Sequence, residues 1–124
     1  MRVKDLLSSK GRSVYSIKPD ATVYDALKLM AEKEIGALVV LDGEKMVGIL
    51  SERDYARKVI LSGKSSEETL VREIMSSDVK YVSPDEKVKN CLSIMTKKHF
   101  RHLPVLEQDK VIGVLSIGDV KSRL

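Results

Sequence analysis

The chain has 124 residues, 43% of them hydrophobic and 32% charged, with one Phe, no Trp and a formal net charge of +4. That length makes one compact unit or two very small ones with an aliphatic core, and the sequence holds no run of eighteen apolar residues to cross a membrane. The lone Cys91 rules out an internal disulfide framework, and MRVKDLLSSK lacks an apolar leader core, so we expect no leader and a cytoplasmic, reducing setting.

In chain order, Val14 to Ile17 reads as a short β segment, followed by Pro19-Asp20, where Asp20 is expected to cap a helix. Val23, Ala26, Leu27 and Met30 recur at i, i+3, i+4 and i+7, one apolar face at the helical period. The apolar run 37–41, the turn DGEK and the apolar run 46–50 predict an antiparallel hairpin. Ser51 then opens a second helix, and the polar stretch 63–70 reads as a linker. Beyond it the pattern returns: Lys80 to Val82 as strand and Asp85 as cap, then Val88, Cys91, Leu92 and Met95 as an apolar helix face. A hairpin over 103–106 and 111–115 and a helix opened by Ser116 complete it.

The return is a duplication. With a shift of 65, residues 17–54 lie over 82–119 without a gap, and 14 of those 38 positions are identical, Ser51/Ser116 and Asp54/Asp119 among them. VKDLLSS (3–9) also echoes VREIMSS (71–77) at a shift of 68. Each copy has the order β-α-β-β-α. A unit of roughly 60 residues is marginal alone, and strands apolar on both faces need cover on both sides. The expected architecture is therefore a mixed α+β fold of two such units packed sheet to sheet with pseudo-twofold symmetry.

The segments GILSERD and GVLSIGD, each closing a duplicated unit, together with IKPDATVYDALKLM, VSPDEKVKNCLSIM and HFRHLPV, resemble a tandem pair of CBS (cystathionine β-synthase) domains, the Bateman module. On that resemblance residues 1–62 form the first repeat and 71–124 the second. It implies regulatory binding of adenosine-containing molecules (AMP, ADP, ATP, S-adenosylmethionine or NAD(H)) in a cleft between the repeats. It also implies no catalysis and no catalytic cofactor, assembly as a homodimer, and a regulated protein partner that the sequence does not name.

Ser51 and Asp54, like Ser116 and Asp119, can be read in two ways. As N-cap and N3 residue they form an acidic capping box, for about 1 kcal/mol. The resemblance instead implies that the serines meet phosphate while the aspartates accept both ribose hydroxyls, two acceptor oxygens facing two donors. It further implies that Arg101 and His102 reach phosphate; Arg53, poorly placed for the helix dipole, reads equally as a phosphate-facing guanidinium or a solvent-facing one. Tyr15, Ile17, Lys80 and Val82 would wall the base, a purely core role for these first strands being equally open, and Gly36, Ala37, Leu103 and Pro104 join the expected nucleotide-binding set. The spacing of His99 and His102 suggests a metal only weakly, since one ends a helix and the other starts a strand. Nucleic-acid binding is the alternative function, but the basic residues are spread among acids rather than clustered. A small enzyme ranks last, because no nucleophile–base pair or paired catalytic carboxylates appear.

Overall fold

A computed structural model describes residues 1–11 and 13–123. Packing divides the chain into two units: Tyr15–Val79, and the N-terminal segment up to Val14 joined to the chain from Lys80 onward.

In the first unit, β1 (Ser16–Ile17) leads through a turn to α2 (Val23–Lys33), β2 (Ala37–Asp42) and β3 (Lys45–Ser51). The sheet order is β1-β2-β3, with β1 parallel to β2 and β2 antiparallel to β3. α3 (Glu52–Tyr55) comes next and runs into a π-helical turn, Ala56–Ile60, and α4 (Val71–Ile74) lies near the end of the unit. Val23, Ala26 and Met30 put the predicted apolar stripe of α2 into the core with Leu38, Val40, Leu50 and Val59. α4 adds Val71 and Ile74.

The second unit repeats this plan. α5 (Val88–Lys98), β4 (His102–Glu107), β5 (Lys110–Ser116) and α6 (Ile117–Lys121) supply the counterparts. Val88, Cys91, Met95, Leu103, Val105 and Leu115 form its core. The part of α4 is taken by α1 (Val3–Lys10), which buries Val3, Leu6 and Leu7 there. Val3 and Lys4 donate their amides to the carbonyls of Glu86 and Pro84, as Val71 and Arg72 donate to those of Ala21 and Pro19. The echo between VKDLLSS and VREIMSS therefore marks two equivalent docking helices. By packing, the leading helix of the chain serves the later hairpin.

The helix starts differ from the sequence reading. α2 begins at Val23, capped by Thr22, whose Oγ1 accepts the Asp25 amide at 3.1 Å; Asp20 is exposed in the preceding turn. The carbonyls of Pro19 and Ala21 are held by the amides of Arg72 and Val71, so the chain cannot turn helical until it has passed them. Asp85 is exposed likewise, and α5 starts after Lys87, with Glu86 Oε1 accepting the Lys87 amide and the Asn90 side chain.

The first strands are also shorter than expected. β1 keeps two residues, and its counterpart shrinks to one parallel bridge, Val82 to Val105. A single substitution accounts for the second loss. The Val39 amide bonds the Tyr15 carbonyl at 3.3 Å, but the residue equivalent to Val39 is Pro104, which has no N–H to give. What survives is the Val82 amide on the Pro104 carbonyl and the Leu106 amide on the Val82 carbonyl.

Cys91 is fully buried, and burial together with the Glu86 carboxylate pushes its thiol up to about 11. No helix among the described residues is long and apolar enough to cross a membrane.

Gly48 shows how tightly the first unit closes. A Cβ there would sit 2.6 Å from Met75 Sδ and 2.9 Å from the Ser76 carbonyl oxygen. That carbonyl is pinned by the Ile49 amide at 2.9 Å. At the equivalent Gly113 the obstruction is only the end of the Leu7 side chain. Gly48→Ala is expected to cost about 1–3 kcal/mol by overpacking, and Gly113→Ala less. Urea unfolding of the two variants checks the order.

Candidate functional site

Each hairpin ends in a serine that stops being strand and starts a helix. Ser51 has an extended backbone (φ -120, ψ 161) and Ser116 likewise (φ -93, ψ 160). Ser51 Oγ accepts the Asp54 amide at 3.2 Å while Asp54 Oδ2 accepts the Ser51 amide at 2.9 Å. The Ser116–Asp119 pair repeats both bonds at 3.0 and 2.9 Å. The reciprocal capping box expected from the sequence is present twice.

The strand register gathers further predicted residues around each box. Ala37 lies opposite Ser51 in the β2–β3 ladder, and the Gly36 carbonyl accepts the Glu52 amide at 3.0 Å. In the second unit His102 lies opposite Ser116, and the Arg101 carbonyl accepts the Ile117 amide at 2.8 Å. Gly36, Ala37, Ser51 and Asp54 thus share one end of one sheet. Arg101, His102, Ser116 and Asp119 share the equivalent end of the other.

The remaining predicted residues are spread over strands and surface. Tyr15 precedes β1, with Lys33 Nζ 5.4 Å from its ring centroid. Ile17 pairs with Val40, further along β2 from the capping box, and Val82 bridges to Val105. Leu103 and Pro104 are buried. Arg53 and Lys80 are exposed, as is Arg101. Two open grooves of about 590 and 420 Å³ mark the first unit; the larger reaches Gly36 and the smaller Ile17, and neither includes Ser51 or Asp54.

Two lysines complete the picture. Lys58, in the π-helical turn, sets its ammonium 3.3 Å from Asp54 Oδ1 and 2.9 Å from the Ile74 carbonyl. Lys10, at the end of α1, sets its ammonium 3.0 Å from Asp119 Oδ2 and 2.7 Å from the Val114 carbonyl. Neither stood out in the sequence. The i,i+4 spacing of Asp54 and Lys58 is a readable ion-pair signal; no local pattern ties Lys10 to Asp119.

The electrostatics reflect these neighbours. Burial tends to raise the Asp119 carboxyl, but the Ser116 amide and the Lys10 ammonium outweigh it, with help from the Ser116 side chain, and the net shift is downward. Burial lowers His102 below its usual range, against the opposing pull of Asp119 and with Arg101 and Lys10 adding to it. The shift favours the neutral imidazole, and beside the Ser116–Asp119 box the neighbouring positive charge comes from Arg101 and Lys10. The described residues contain no group of three His, Cys, Asp or Glu side chains that could hold a metal ion. Every buried side-chain N or O atom among them has a hydrogen-bond partner.

What each end offers chemically is a carboxylate, a hydroxyl and a cation within a few ångström, held by backbone rather than by loops. Each set combines hydrogen-bond acceptors with a positive charge.

Comparison with known proteins finds the same repeat. The CBS domain family profile matches twice, at residues 3–61 and 71–124. The mitochondrial CBS domain-containing protein CBSX3 of Arabidopsis thaliana is 41% identical over 127 residues. The match covers 95% of this chain and 62% of that protein, so the chain spans less than two thirds of that relative. A Burkholderia ambifaria protein whose structure is described as that of a signal-transduction protein with CBS domains is 48% identical. Its TM-score is 0.96, with 99% and 93% of the two chains covered. The hexameric CBS-CP12 protein of bloom-forming cyanobacteria is 27% identical, with a TM-score of 0.86 and coverage of 98% and 69%.

Proposed function

Because the chain belongs to the CBS domain family, we propose that it is a regulatory sensor of adenosine-containing ligands: AMP, ADP or ATP, with NAD(H) and S-adenosylmethionine as further candidates. In this reading Asp54 and Asp119 accept ribose hydroxyls, and Ser51 and Ser116 face phosphate. Arg53 and Arg101 supply exposed positive charge, and His102 offers a neutral hydrogen-bonding group. The ligand is regulatory and no catalytic cofactor takes part.

The observation that carries this reading is the doubled Ser–Asp box, built with the same bonds at the end of each hairpin. Capping alone would be met by many residue pairs; a carboxylate beside a hydroxyl and a cation can in addition meet the ribose and phosphate of a nucleotide. Binding acts on a partner protein by shifting a conformational equilibrium, to the extent that the ligand prefers one state. We further assign a homodimer as the working assembly and the cytoplasm as its compartment, the buried reduced Cys91 being consistent with the latter.

A thermal-shift panel of AMP, ADP, ATP, NAD(H) and S-adenosylmethionine tests the proposal. A ligand at 100 times its dissociation constant is expected to add about 2.7 kcal/mol. A flat response to all of them would remove the sensor reading.

A further inference from the structure

The two Ser–Asp boxes agree in every backbone bond and differ in how the carboxylate is otherwise engaged. Asp54 is taken up on both oxygens. Oδ2 receives the Ser51 amide at 2.9 Å and the Ser51 hydroxyl at 3.0 Å, and Oδ1 faces the Lys58 ammonium at 3.3 Å. Asp119 gathers its partners on one oxygen: Oδ2 receives the Ser116 amide at 2.9 Å and the Lys10 ammonium at 3.0 Å. Among the described residues no hydrogen bond or ion pair reaches Asp119 Oδ1. Exposure agrees: the Asp54 side chain is 15% accessible and that of Asp119 28%.

The difference is written into the chain. The residue equivalent to Lys58 at the 65-residue offset is Arg123, and its guanidinium turns instead to Ser9 Oγ at 2.8 Å. The second unit's cation comes from a separate element, α1, and arrives on the other carboxylate oxygen. Lys58 is moreover tethered twice, to Asp54 and to the Ile74 carbonyl. A diol approaching Asp54 has to compete with that ammonium at Oδ1, whereas Asp119 Oδ1 carries no such partner among the described residues.

We propose that Lys58 gates the first-unit site by occupying the Asp54 oxygen a ribose diol needs, whereas Asp119 keeps one oxygen open, so that an adenosine ligand fills the second-unit site first. The proposal rests on the assignment of both aspartates as ribose acceptors. It makes Lys58 a residue that sets the order of filling rather than one that grips the ligand. Two unequal sites let one small protein respond over a wider range of ligand concentration than two equal ones.

Calorimetric titration with AMP tests this on the wild type, on Asp119→Asn, which leaves the first-unit site, and on Asp119→Asn combined with Lys58→Gln. The wild type is expected to show a tighter and a weaker site, and Asp119→Asn to keep only the weaker. Adding Lys58→Gln is expected to tighten that remaining site about fivefold, equivalent to about 1 kcal/mol of ion pairing. If Asp119→Asn fails to fold, Lys58→Gln alone is expected to tighten the weaker of the two wild-type sites by the same factor. Unchanged or weaker AMP binding on removal of Lys58, or retention of the tighter site in Asp119→Asn, would overturn the gating while leaving the sensor reading intact. A wild type that binds neither AMP nor ADP, ATP, NAD(H) or S-adenosylmethionine would overturn both, and the wild-type titrations alone tell the two failures apart.

Discussion

Asp119→Ala is expected to weaken AMP binding on the order of a hundredfold while lowering the stability of the protein by only about 1 kcal/mol. The two numbers have separate origins. A carboxylate accepting two ribose hydroxyls makes two charge-assisted hydrogen bonds, each worth about 1.5–3 kcal/mol. Losing about 3 kcal/mol corresponds to roughly a hundredfold in affinity. The folded protein loses half of a capping box, about 1 kcal/mol. It also loses the ion pair to Lys10, about 0–1 kcal/mol for a pair this accessible. Urea unfolding and AMP titration on the same preparation measure both effects. A stability loss with no binding defect would reduce Asp119 to a capping residue.

The parts of the site that repeat are legible in the chain itself. The shared Gly, Leu, Ser and Asp of GILSERD and GVLSIGD mark where each hairpin ends and which side chains cap the next helix, because capping is a local, three-residue geometry. The apolar faces of α2 and α5 are legible for the same reason. The hidden parts depend on distant chain. Asp20 and Asp85 look like caps, but the carbonyls around them are claimed by α4 and α1, which a local pattern does not reveal. Lys10 meets Asp119 across more than a hundred residues, with nothing in its surroundings to mark it. Pro104 is a readable warning that the second unit's first strand loses its ladder, since a proline has no amide to contribute. The π-helical turn that presents Lys58 carries no sequence mark that we recognise.

Leu50→Ala is expected to destabilise the protein by about 2–5 kcal/mol, the range for emptying a buried leucine site. Leu50 is fully buried on β3, opposite Leu38, in a core it shares with Val40, Ile74 and Met30. Leu115, its equivalent on β5, is equally buried opposite Leu103, and Leu115→Ala should cost a similar amount. In small units a loss of this size is a large fraction of total stability. A fall in the urea midpoint with an unchanged slope would report the loss of stability. A changed slope would point instead to loss of cooperative unfolding.

These effects converge on the assignment of the aspartates as ribose acceptors, and the 2′-hydroxyl tests it most directly. Titration of the wild-type protein with AMP and with 2′-deoxy-AMP changes one donor and leaves base and phosphate alone. Loss of one hydrogen bond to a charged acceptor, about 1.5–3 kcal/mol, predicts that AMP binds at least about tenfold more tightly. Equal affinity for the two would contradict the assignment, and with it the function proposed for the doubled Ser–Asp box.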